Sequence, residues 1–188
     1  IRALGRQEGG LCDEFSVGGV YSSFQSDRPD QAIISEQIGG TIGSFLRFVE
    51  STKYIEWHYL TIVPDKSSTR PRNKMQNLLN AVVGFAGKKL LDCFVWNEEI
   101  LGTGTIRSKK DRSARNEFLH GSLIKGPSIG KIKGKNVIVI DDHLTTGATA
   151  IHCNRLLKDG GAETVLFVVP FYMISDVNIK ECPKCRKI

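Results

Sequence analysis

The chain has 188 residues, 40% of them hydrophobic, and a formal net charge of +6. That length holds one α/β core and is short for two, and the longest apolar runs are strand-sized, which excludes a membrane-spanning helix. The first residues lack the charged-then-apolar pattern of a secretory leader, so the expected compartment is the cytoplasm; the chain begins at Ile1, not Met, which leaves a preceding segment open.

Residues 1–19 mix glycine and charge with little periodicity and are predicted as loop or extended arm. Val20 to Phe24 is predicted as a short strand, closed by the turn-like Ser26-Asp27-Arg28-Pro29-Asp30. From Gln31 to Val49, Ile33, Ile34, Ile38, Ile42, Phe45, Leu46 and Val49 recur at helical spacing. One amphipathic helix follows, in which Gly39, Gly40 and Gly43 leave open either a close contact or a break near Gly39. Ile55 to Val63 is β-branched and aromatic and reads as the first strand of the main sheet, ending at Pro64-Asp65. A polar, basic stretch from Lys66 to Lys74 leads into a helix expected over Met75 to Leu91, with Leu78, Leu79, Val82, Val83 and Phe85 inward. Cys93 to Trp96 is another strand, and Asn97 to Asn116 is long and without apolar periodicity.

The most informative stretch is Val137 to Ala150. Four β-branched residues, Val137 to Ile140, read as a strand buried on both faces. It stops at Asp141 and Asp142, continues through Thr145, Thr146, Gly147, Ala148 and Thr149, and enters a helix from Gly147 to Lys158 that ends at Gly160-Gly161. Thr164 to Val169 is a further strand. Strands alternating with helices predict an α/β fold with a mostly parallel, twisted sheet flanked by helices. Chemistry is then expected at the carboxyl end of the strand, where open α/β sheets bind ligands. The free amides of a helix start, the close backbone approach at Gly147 and the threonine hydroxyls suit a phosphate. Ionised Asp141 and Asp142 accept only, so they face sugar hydroxyls or the water shell of magnesium. A ribose 5-phosphate offers all of these. A helix cap after an ordinary strand accounts for one Asp and one Thr, not for two and three.

The stretch resembles the signature of the type I phosphoribosyltransferases: a hydrophobic strand, Asp-Asp or Asp-Glu, two variable residues, Thr-Thr-Gly and a small residue. The resemblance implies that Asp141 and Asp142 hold the ribose hydroxyls of phosphoribosyl pyrophosphate with Mg2+ nearby, and that Thr145, Thr146, Gly147, Ala148 and Thr149 hold its 5-phosphate. It also implies transfer of the ribose 5-phosphate to a nitrogenous base with release of pyrophosphate. His143 departs from the family's small aliphatic residue; of two readings, a titratable group beside the ribose and a side chain turned away into a polar gap, the second is favoured, and no role is assigned. Within the family the chain is similar to the competence-protein ComF group, through Ile62-Val63-Pro64 ahead of Arg70, Arg72 and Met75-Gln76-Asn77, and through Arg107 to Arg112 with Asn116. That group often carries a cysteine knuckle before the domain, whereas Cys182 and Cys185 come after it. The implied division is an N-terminal extension or hood over 1–56, a core over 57–175 and a tail over 176–188.

On this reading Lys66, Arg70 and Arg72 are candidates for binding pyrophosphate, with an ordinary solvent loop as the equal alternative. Arg107, Lys109 and Lys110 are the catalytic candidates on a mobile loop that closes over the leaving group; a flexible linker is the alternative. The rival function is a non-catalytic module that binds phosphoribosyl pyrophosphate or a nucleotide in a DNA-uptake or nucleic-acid-handling assembly. Basic residues cluster at 70–74, 107–115, 125–135 and 180–187, but no aromatic residues interleave them, so nucleic acid is not the favoured partner. A homodimer is compatible with the sequence. Five unevenly spaced cysteines argue against a disulfide framework and for a reducing compartment. Cys182 and Cys185 have zinc-ligand spacing, which leaves three outcomes: a zinc site completed elsewhere, half of a ribbon, or a free thiol pair.

Overall fold

The computed structural model describes residues 2–7, 20, 24, 31–52, 54–65, 74–97, 99 and 112–173. The elements run β1 (Arg2–Gln7), α1 (Gln31–Ser51), β2 (Tyr59–Ile62), α2 (Lys74–Ala86), β3 (Lys89–Leu90), β4 (Phe94–Trp96), α3 (Arg112–Ser122), β5 (Leu123–Lys125), a 3-10 turn (Ile129–Ile132), β6 (Asn136–Ile140), β7 (His143–Leu144), α4 (Ala148–Asp159) and β8 (Thr164–Met173). The main sheet has the order β1-β8-β6-β2-β3 with every pair parallel, and β7 also pairs with β8. Helices cover both faces, as the alternation of strands and helices predicts.

Strand β6 lies at the centre because it has no polar side to turn outward. Val137 and Val139 point into a core with Phe167, Val169, Leu119, Cys153 and Leu157, on the α3–α4 side. Ile138 and Ile140 point the other way, into a core with Leu60, Ile42, Leu78 and Val82 on the α1–α2 side. Each of these fully buried side chains contributes roughly 1.5–3 kcal/mol of transfer free energy. On β2 the buried hydroxyl of Thr61 accepts the Cys93 N–H at 3.4 Å, which satisfies the one polar side chain on that strand's buried run.

Helix α1 is unbroken, and Gly39 makes the close contact. A Cβ built there would lie 2.5 Å from Ala81 Cβ and 2.8 Å from the Leu78 carbonyl oxygen, so α1 crosses α2 nearly backbone to backbone. The expected helix from Met75 to Leu91 ends at Ala86, because Gly87 takes φ +63 and turns the chain into β3.

Three other expectations are corrected. The chain's first segment is no arm: Arg2–Gln7 is a strand parallel to β8, with Arg2 opposite Val168 and Gln7 opposite Met173. Val20 and Phe24 are helical, not extended; a spacing of four puts both on one face in either conformation, and both join the α1–α2 core. Finally, Phe94–Trp96 is a strand but not of the main sheet, since it pairs antiparallel with β5. No described helix is long and apolar enough to cross a membrane.

His152 ties α4 to β5. Its Nε2 meets the Leu123 carbonyl at 2.7 Å and so donates, while Nδ1 faces Arg155 Nη2 at 3.3 Å and so accepts; the ring is neutral. Burial, reinforced by the charges of Arg155 and His120, holds its pKa below 6.5 against the opposing effect of the Leu123 bond. The unfolded chain therefore binds a proton that the folded chain refuses, and stability falls as pH drops below about 6.5. Denaturant titrations at about pH 7.5 and about pH 5.5 should show a smaller loss for His152→Gln than for the parent. Packing gives a second expectation: Gly39→Ala destabilises by about 1–3 kcal/mol through overpacking. Gly84→Ala, where a Cβ meets nothing within 4 Å, stabilises by roughly 0.5–1 kcal/mol, and thermal unfolding of the two variants reads both signs.

Candidate functional site

The site begins where the apolar run of β6 gives out. The Asp141 N–H donates to the Val168 carbonyl at 3.1 Å, so the first carboxylate residue still hangs on β8. Ile140 pairs with Val168 and His143 with Phe171, which means that β7 continues β6 along β8 without a slip in register. Asp141 and Asp142 are held between two ladder segments. The Asp142 N–H then donates to Asp141 Oδ1 at 2.8 Å, which ties the first carboxyl to the backbone of the second residue.

After β7 the chain turns through Thr145 and Thr146, both exposed, to Gly147 in the left-handed region at φ 77. Only glycine takes that conformation cheaply, and it starts α4 without a side-chain cap. The Ala148 N–H reaches Thr146 Oγ1 at a long 3.5 Å, leaving the first turn of a 12-residue helix open to an anion.

A third element enters from the side. Asp65, just beyond β2, accepts the Met75 N–H on Oδ2 at 3.0 Å and so caps α2 from across residues 66–73. That cap brings the end of β2 and the start of α2 together beside the end of β6. Lys74, the first residue of α2, is buried; its Nζ pairs with Asp142 Oδ2 and lies 5.7 Å from the centroid of the Phe24 ring. Phe24 in turn rests on Phe171, ring centroids 5.9 Å apart. His143 Nδ1 donates to Asp142 Oδ1 at 2.6 Å.

These contacts shift the two carboxyls' pKa values in opposite directions. Burial and the charge of Asp142 push Asp141 well above the usual carboxylate range. Burial also opposes ionisation of Asp142, but the hydrogen bond and charge of His143 and the Lys74 ion pair outweigh it and hold Asp142 below that range.

Of the residues singled out in the sequence, Asp141, Asp142, Thr145, Thr146, Gly147, Ala148 and Thr149 come together at one carboxyl edge of the sheet. Lys66, Arg70, Arg72, Arg107, Lys109, Lys110, Cys182 and Cys185 lie outside the described residues. His143 is not turned away, as expected, but bonded to Asp142. In the sequence Lys74 closes the polar, basic stretch from Lys66, open to either a pyrophosphate contact or a solvent loop; its signal is the spacing of four to Leu78 and eight to Val82, which sets it on the inward face of α2.

The family described as phosphoribosyl transferase domain matches residues 87–184. The chain belongs to that family. The competence protein ComFC of Streptococcus pneumoniae (strain ATCC BAA-255 / R6) is 33% identical over 118 residues, which are 62% of this chain and 48% of that protein. The chain thus spans about half the length of this curated relative. The glutamine phosphoribosylpyrophosphate amidotransferase of B. subtilis superposes at a TM-score of 0.52 with 18% identity, over 80% of this chain and 30% of that one. A hypoxanthine phosphoribosyltransferase from Staphylococcus aureus gives a TM-score of 0.41 with 17% identity, over 76% and 74%.

Since Asp65 holds the first turn of α2 in place, Asp65→Ala should lower stability by about 0.5–2 kcal/mol, read as a drop in the midpoint of thermal unfolding, with Asp65→Asn losing less.

Proposed function

We propose that this chain binds phosphoribosyl pyrophosphate and transfers its ribose 5-phosphate to a nitrogenous base with release of pyrophosphate. What supports the reading is the convergence of the Asp141–Asp142 pair and the open first turn of α4, behind Thr145-Thr146-Gly147, at one carboxyl edge of a parallel sheet. The amides of that turn and the hydroxyls of Thr145, Thr146 and Thr149 are the donors for a 5-phosphate. Asp141 and Asp142 are acceptors for ribose hydroxyls. As the bond from the anomeric carbon to pyrophosphate breaks and the bond to a base nitrogen forms, positive charge spreads over the ring. The chain's task is to position the partners and stabilise charge, with no covalent intermediate. Lys66, Arg70 and Arg72 ahead of α2, and Arg107, Lys109 and Lys110 ahead of α3, are the cations offered to the leaving group.

Magnesium near Asp141 and Asp142 belongs to the family's chemistry, where it acts as a Lewis acid on the leaving group. It does not fit these carboxylates as they stand, because Lys74 and His143 hold both oxygens of Asp142.

A second reading, a module that binds the same ligand without turnover in a DNA-uptake or nucleic-acid-handling assembly, is favoured by the 33% identity with a competence protein. Calorimetric titration with phosphoribosyl pyrophosphate, followed by a pyrophosphate-release assay over a panel of bases, separates the two. Release with one base is the expected result. Binding without release for any base supports the second reading, and no binding rejects both. Thr146→Val should weaken binding about tenfold, the worth of one hydrogen bond to a charged group, while the fold is spared. If Asp141→Asn and Asp142→Asn bind as well as the parent, the acidic pair serves only the structure.

A further inference from the structure

A lysine is almost never fully buried unless something nearby compensates its charge. Lys74 is 8% exposed, at the site edge of α2, with its ammonium on Asp142 Oδ2 and the face of Phe24 at 5.7 Å. The other oxygen of Asp142 accepts from His143 Nδ1 at 2.6 Å. Asp141 Oδ1 is turned to the Asp142 N–H at 2.8 Å. The chain's own groups therefore engage both oxygens of the Asp142 carboxylate, and one of them is a cation fixed at the start of a helix. A divalent ion seeking the same oxygens meets an ammonium already in place, at a distance where two like charges repel strongly outside bulk water.

We propose that Lys74 is the resident counter-cation of the acidic pair, standing where a divalent ion would otherwise bind, so that the free protein takes up no divalent cation at Asp141–Asp142 and a ribose phosphate engages the pair without one. The second half rests on the functional reading above; the first half does not, since it concerns the free protein. The role is one of charge and not of shape. Removing the charge at nearly constant volume opens the pair to metal, and keeping the charge on another side chain keeps metal out.

The probe is Mn2+, counted as the free ion by electron paramagnetic resonance while it is titrated into ligand-free protein. The parent and Lys74→Arg are expected to leave Mn2+ free, and Lys74→Met to bind it in a manner abolished by adding Asp142→Asn. Binding to the parent that Asp142→Asn removes overturns the proposal, whether or not any Lys74 variant folds. A folded Lys74→Met that binds no Mn2+ overturns it too. Calorimetry with ribose 5-phosphate then tests the ligand half: the parent is expected to bind equally in EDTA and in Mg2+, and Lys74→Met to bind about tenfold more weakly in EDTA than in Mg2+. Magnesium-dependent binding by the parent overturns the ligand half. Failure of the parent to bind ribose 5-phosphate in either condition, with the Mn2+ results as expected, defeats the functional reading and leaves the assignment of Lys74 standing.

Discussion

The ladder between β6 and β8 is the interaction on which both the fold and the site depend. It pairs Asn136 with Thr164 through to Ile140 with Val168, and the same offset resumes at His143 and Phe171. Between those segments the Asp141 N–H still finds the Val168 carbonyl. A slip of one residue would turn Val137 and Val139 into the opposite core and rotate both carboxylates away from the start of α4. The apolar alternation that fills two cores thus also aims the acidic pair.

Around that ladder the site is assembled from elements that owe their positions to different forces. Helix α4 starts where it does because Gly147 adopts a left-handed turn. Helix α2 is anchored by the Asp65 cap at its start and by the Gly39–Ala81 contact along its length. Lys74 is the consequence of that anchoring. It is the residue at which α2 meets the carboxylates, and its burial is sustained by Asp142 and Phe24.

Much of this was legible from local pattern. The four-residue run at Val137 reads as a strand buried on both faces, and Asp141 to Thr149 as a turn between strand and helix. What local pattern could not reach were properties set by partners far away in the chain. Arg2–Gln7 has no strand-like alternation, and only the exposed flank of β8 makes it a strand. Val20 and Phe24 share a face in helix and strand alike, so spacing could not choose between them. Lys74 reads as one more loop cation until Asp142, 68 positions away, is brought against it. His143 was misread for a related reason, since its partner is its own neighbour and only the backbone turn decides whether the two side chains meet.

The strand order has a consequence for how the chain comes to hold its shape. Strand β8 sits between β1 and β6, so the two ends of the described chain are joined at its last strand. During synthesis, β2 is available to β6 as soon as β6 emerges, but the opposite edge of β6 stays unpaired until residues 164–173 have left the ribosome, and β1 waits almost the whole length of the chain for its neighbour. The acidic pair, suspended on β8 and not on β2, is thus completed among the last parts of the fold. A nascent chain halted before β8 would carry β6, the most apolar strand of the sheet, with one bare edge. In that interval the exposure to aggregation is greatest, and it falls on the segment that leads into the acidic pair.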